Sequence, residues 1–143
     1  MKIFLSLLFL SFGLNAEKIQ SIEDYLSLHK NDNEEAVASY LSKRCAATFL
    51  VVANIFNNEN KPEDKKVFNQ MTILSGQMIE AASYIDASVS KRDVLEVAFD
   101  VNEEVKRIFN ILWGISEDSY ARSGVYLTPH VKDLKICQTF AKS

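Results

Sequence analysis

Residues 67–112, VFNQMTILSGQMIEAASYIDASVSKRDVLEVAFDVNEEVKRIFNIL, carry two apolar seams in succession. In the first, Val67, Met71, Leu74, Met78, Ala81 and Ile85 recur at alternating steps of four and three. That spacing aligns them along one side of an α-helix packed lengthwise on a partner. Val94, Ala98, Val101, Val105, Ile108 and Leu112 repeat the pattern. The first of these helices is expected to end near Asp86, with Ala87–Ser90 as a short connection. Ser90 with Asp93 three residues on reads as the next start, a capping box with Asp in the place of Glu or Gln. Helices joined so closely lie antiparallel, which makes the chain an all-α antiparallel bundle.

Upstream, Ser21 followed by Asp24 marks a short N-terminal helix with Ile22, Tyr25, Leu26 and Leu28 on its apolar side. Asn31-Asp32-Asn33 interrupts it and supplies a cap for a long helix whose first turn holds Glu34 and Glu35, at the positive end of the helix dipole. Val37, Leu41, Cys45, Thr48, Val52 and Ile55 form its stripe, widened by Tyr40, Ala47, Phe49, Leu50 and Val51, so this helix is expected to be the most buried. A polar loop, Asn57 to Lys61, precedes Pro62, which suits a first helical position because its missing N–H costs nothing there. Downstream, Gly114 is read as the end of the fourth helix and Ile115–Leu127 as an irregular stretch broken by Ser116, Ser119, Ser123 and Gly124. Thr128-Pro129 then starts a last helix with Val131, Leu134, Ile136, Cys137 and Phe140 inside. The expected architecture is four main helices plus a short N-terminal one.

The composition agrees: 4 Gly and 2 Pro in 143 residues are too few for an all-β chain, which needs a turn every 8–12 residues or so. A formal net charge of −3 has the wrong sign for a nucleic-acid binder, which works through clustered Lys and Arg. The N-terminus has the three-part layout of a secretory signal: Met1-Lys2, an apolar run from Ile3 to Phe12 broken only by Ser6 and Ser11, then Gly13-Leu14-Asn15-Ala16. The run is shorter than the roughly 20 apolar residues that cross a bilayer. Cleavage is expected after Ala16, separating a signal peptide at 1–16 from a single bundle domain at 17–143. No later stretch is expected to span a membrane; Cys45–Phe56, the most apolar, suits a buried core helix. The expected location is periplasmic or secreted.

Export gives the 2 cysteines their meaning, since an oxidising compartment favours pairing. Cys45 and Cys137 are expected to form a disulfide that ties the last helix to the second.

Chemistry-bearing motifs are missing from the sequence. There is no Cys-x-x-Cys-His for covalent haem, no Glu-x-x-His for a di-iron bundle and no Gly-rich phosphate loop. His29 and His130 lack zinc-site spacing. No catalytic residue, metal or cofactor is expected, and the chain reads as a binding protein, not an enzyme. Glu96, Asp100, Glu103 and Glu104 read as a solvated face of the fourth helix. Trp113, Tyr120, Arg122 and Tyr126 are the candidate interaction surface, being residue types enriched at binding hot spots, for a partner that is another protein or an envelope component. The competing reading is a carrier of haem or another apolar ligand inside the bundle, with Met71 or Met78 and His130 as ligands.

Overall fold

The computed structural model describes residues 19–57, 61–126 and 131–143, the side chain of Val131 excepted. The signal peptide expected at 1–16, the cleavage expected after Ala16, the expected start at Thr128-Pro129 and His130 lie outside the described residues. Five helices follow in order: α1 (Ile22–Leu28), α2 (Glu34–Ile55), α3 (Pro62–Ser90), α4 (Val94–Ser123) and α5 (Val131–Phe140). The all-α bundle with a short N-terminal helix is the observed architecture, and the Cys45–Cys137 disulfide is formed, with Cα atoms 5.2 Å apart.

Local signals account for most helix ends. The Ser21 hydroxyl accepts the Asp24 N–H at the start of α1, and the Asn33 side chain accepts the N–H groups of Glu35 and Ala36 at the start of α2. Pro62 occupies the first position of α3. These contacts supply partners for N–H groups that a helix leaves open at its first turn.

α2 is the centre of the molecule. It packs on α3, α4, α5 and α1, and most extensively on α3. Ser39 meets Asp86 and the Ala46 carbonyl meets Ser75, so α2 and α3 run in opposite directions. Small side chains at Ala46 and Ser75 let the backbones approach closely enough for the Ser75 hydroxyl to donate to the Ala46 carbonyl at 3.0 Å. By length and composition α2 could cross a bilayer, but 67% of its most apolar window is buried inside the fold, as in a core helix.

Two boundaries differ from the sequence reading. α3 continues past Asp86 to Ser90, whose hydroxyl donates back to the Asp86 carbonyl at 2.6 Å, so Ser90 closes one helix and does not begin the next. The break comes at Lys91, in the left-handed region at φ 57°, and Asp93 alone caps α4 by accepting the Leu95 N–H at 2.8 Å. Gly114 does not end α4; the helix runs on to Ser123, and Gly124 at φ 70° is its C-terminal cap. Ser123 satisfies its hydroxyl within the helix by donating to the Ser119 carbonyl at 2.7 Å, while Ser116, whose buried hydroxyl has no hydrogen-bond partner, extends the buried row Val97, Val101, Val105, Ile108 and Leu112. The row starts at Val97, with Val94 and Ala98 only half-buried. On α3 the deepest line is Met71, Ser75, Met78 and Ala82, whereas Val67, Leu74, Ala81 and Ile85 flank it half-buried. Ser75 was not counted as a core position because its hydroxyl finds its acceptor only across the helix pair.

α5 is attached differently from the rest: it lies against α2 and α1. The disulfide closes a sequence separation of 92, for which chain entropy gives on the order of 4–5 kcal/mol. One helical turn before Cys137, Asp133 receives Arg44 Nη2 at 2.6 Å, and both side chains are only 2% exposed. Its other oxygen accepts the Ile22 N–H at 3.0 Å, the first open donor of α1. A single carboxylate thus joins α1, α2 and α5. Asp133→Asn in the disulfide-bonded protein leaves a buried guanidinium without its counter-charge and is expected to cost about 3–5 kcal/mol by denaturant unfolding. The double change Arg44→Met with Asp133→Leu should recover most of that loss; a single-variant cost below about 1 kcal/mol would remove the pair from its structural role.

Candidate functional site

The C-terminal half of α4 sets Phe109, Trp113 and Tyr120 at steps of four and seven, so they project from one side of the helix. Gly124, in the left-handed region, turns the chain back. Tyr126 then returns to stack on Tyr120, with ring centroids 4.1 Å apart and planes 7° from parallel, and reaches Trp113 at 6.0 Å. Phe109 extends the row at 6.3 Å from Trp113. The inner end is anchored, since Phe109 and Trp113 pack against the core, and the outer end is open at Tyr120, 48% exposed, beside Val125, 50% exposed.

Three of the four predicted surface residues, Trp113, Tyr120 and Tyr126, are therefore brought together. Arg122 is not part of the row: two positions past Tyr120 it faces elsewhere on the helix, and its Nε donates to the Asp118 carbonyl at 3.2 Å. Phe109 was missed, although its place four residues before Trp113 was the available signal.

A second site was not read from the sequence. Where α2 crosses the end of α3 and the start of α4, a groove of about 480 Å³ opens. At its centre the Lys43 ammonium lies 2.7 Å from Asp86 of α3 and 2.8 Å from Glu104 of α4. Ser39 donates to the other oxygen of Asp86. Arg92, in the α3–α4 connection, holds Asp100 at 2.8 Å and Glu96 at 3.8 Å. The acidic face of α4 is open to solvent, with the side chains of Glu96, Asp100 and Glu103 more than half exposed and Glu104 40% exposed; the α3–α4 turn and α2 bring cations to Asp100 and Glu104 at its edges.

Burial alone would lower the Lys43 pKa, but the hydrogen bonds and charges of Asp86 and Glu104 outweigh it and hold the ammonium above the ordinary lysine value. Nearby, Tyr25 stacks between His29 and Tyr40, with centroids at 4.2 and 3.7 Å. Burial raises the Tyr40 phenol; Arg44 and Arg107 pull it down, and Tyr25 and Asp133 add to the rise. Burial, then the charge of Asp32, raises Tyr25.

Met71 and Met78 are 5% and 8% exposed and pack in the main apolar cluster. His29 is engaged by Asp32, Nδ1 to carboxylate at 2.6 Å. Among the described residues no group of three His, Cys, Asp or Glu side chains could hold a metal ion. Both cysteines are in the disulfide, and no free thiol remains as a nucleophile. Comparison with family models, with curated proteins and with solved structures finds no match to this chain.

The charge network has a pH signature. A lysine held above its ordinary value of 10.5 contributes stability that is whole below that pH and is lost as pH rises through the folded value. Tyr25 and Tyr40, kept neutral above 10.0, act in the same direction. The thermal midpoint should therefore fall between pH 9 and pH 12. It should fall less steeply in Lys43→Met and in Tyr40→Phe; identical slopes in all three proteins would contradict the assignment.

Proposed function

We propose that this protein is exported to an oxidising compartment, periplasmic or extracellular, and acts there by binding another protein or an envelope component, without chemistry of its own. The carrying observation is the aromatic row on α4, anchored at Trp113, continued by the half-buried Tyr126 and open at Tyr120. Stacked rings present a large, rigid apolar surface at small entropic cost, and Trp and Tyr are the types enriched at binding hot spots. The buried disulfide and the signal-like N-terminal layout support export, since a bridge of this kind persists where thiols are not kept reduced.

Export is tested by the intact mass of protein recovered from an exporting host, which should start at Glu17 and be two hydrogens lighter than the reduced chain. A mass that includes Met1–Ala16 would refute it. The surface is tested by crosslinking in envelope fractions with wild type and with Tyr120→Ala/Tyr126→Ala. Tyr120 is half exposed, so the variant should keep its helical content while losing at least tenfold of a wild-type crosslink. A partner retained equally by the variant would exclude this row as the contact.

A further inference from the structure

We propose that the Cys45–Cys137 bridge is a redox latch. Its reduction by a dithiol releases α5, and α1 with it, from a core of α2, α3 and α4 that stays folded, and frees Tyr126 from the aromatic row. The bearing of this release on binding rests on that row being the contact surface.

The division into two units follows from what each helix touches. α5 meets only α2 and α1, and α1 meets only α2 and α5, among the described residues. The other three helices, 22, 29 and 30 residues long, pack on one another in every pairing. Of the buried apolar cluster, Ile22 and Cys137 alone come from α1 and α5. Removing both helices therefore leaves the rest of that cluster enclosed by its own three helices.

The outer unit is weak without its crosslink. α1 has 7 residues and α5 has 10, whereas an isolated helix shorter than about 12–15 residues is marginal in water. Leu134, Ile136, Phe140 and Ala141 of α5 reach the core only half-buried. The Arg44–Asp133 pair adds specificity more than net stability, because both charges had to leave water. Arg44 Nε and Nη1 are buried with no hydrogen-bond partner while α5 is docked. Water satisfies them once α5 leaves, which lowers the cost of opening.

The chemistry is thiol–disulfide exchange. A thiolate of the external dithiol attacks one sulfur of the bridge, forming a mixed disulfide and expelling the other cysteine as a thiolate. The second thiol of the reagent then attacks the mixed disulfide and leaves as a cyclic disulfide. The dithiol loses two electrons and two protons, and Cys45 and Cys137 end as two thiols. Both cysteines are fully buried, so the attack waits for α5 to open locally around Cys137. Release then reaches the aromatic row through the chain. Val131 lies five residues beyond Tyr126, a span of at most about 18 Å, so the docking of α5 limits where Tyr126 can sit. Trp113, the single tryptophan, lies 6.0 Å from the Tyr126 ring and reports its departure.

The test uses the mature chain, residues 17–143, with and without excess dithiothreitol, followed by hydrogen exchange and by Trp113 fluorescence. On reduction the amides of α1 and α5 should lose at least tenfold of their protection while those of α2, α3 and α4 keep theirs. Trp113 emission should move to longer wavelength, and reoxidation should restore both signals. In Tyr126→Ala, reduction should bring no further movement of the emission. Phe140→Ala loosens α5 without touching the bridge and should be reduced at least tenfold faster than wild type; Glu117→Gln, on the exposed side of α4, should be reduced at the wild-type rate. The proposal is overturned if α5 stays protected in the reduced protein, if protection is lost throughout α2, α3 and α4, or if Trp113 emission does not move. None of these readouts involves a partner, so the crosslinking result on the aromatic row stands or falls separately.

Discussion

The carboxylate of Asp133 is the constraint on which the two ends of the chain depend. It is buried, paired with Arg44 and hydrogen-bonded to the first N–H of α1, one turn from the disulfide that joins α5 to α2. A buried ion pair adds little net stability, because desolvation offsets most of the attraction. Its value here is geometric. The disulfide fixes only the distance between two backbones, whereas Arg44–Asp133 sets the rotation of α5 about its axis and the docking of α1 against it. Nε and Nη1 of Arg44 have no hydrogen-bond partner, and among the described residues Asp133 is the carboxylate paired with that guanidinium.

The middle of the molecule is held by a different kind of force. α2, α3 and α4 bury an apolar core from Leu41 to Leu112, and α2 contributes the largest share. Small residues at the α2–α3 contact allow close packing, and the buried polar link in its interior, Ser75 to the Ala46 carbonyl, is satisfied. Charged side chains are then displaced to the ends of the interface. Lys43, Asp86 and Glu104 meet at one end because α3 terminates and α4 begins there. The aromatic row gathers at the other end of α4, where Gly124 reverses the chain. Each surface feature thus sits where a helix stops burying its apolar side.

Local readings held where the signal is local. The apolar sides of α3 and α4, the caps at Ser21 and Asn33 and Pro62 at a helix start all depend on residues within one or two turns, and each is present, although the deepest line of α3 is shifted to Met71, Ser75, Met78 and Ala82. Errors arose where a polar or small residue was given its usual meaning. Gly114 and the serines after it read as breakers in a linear chain, but a glycine inside a long helix costs only about 1 kcal/mol, and serine can bond to the preceding turn. Ser90 reads as a cap for the following helix and instead closes the previous one. Arg122 was grouped with the aromatics by sequence proximity, although two positions along a helix points a side chain to a different face.

The amino-acid sequence by itself determined the helical class, the order of the helices and the identity of the cysteine pair, because periodicity, capping and the existence of only two cysteines do not depend on the packing of distant parts. Tertiary structure alone decided that Arg44 meets Asp133, 89 residues away, that Lys43 sits between Asp86 and Glu104, and that Tyr126 folds back on Tyr120. Charges and rings carry no mark of their partner in a linear chain. They acquire one only when helices cross and the burial of a group makes an unpaired charge too costly to keep.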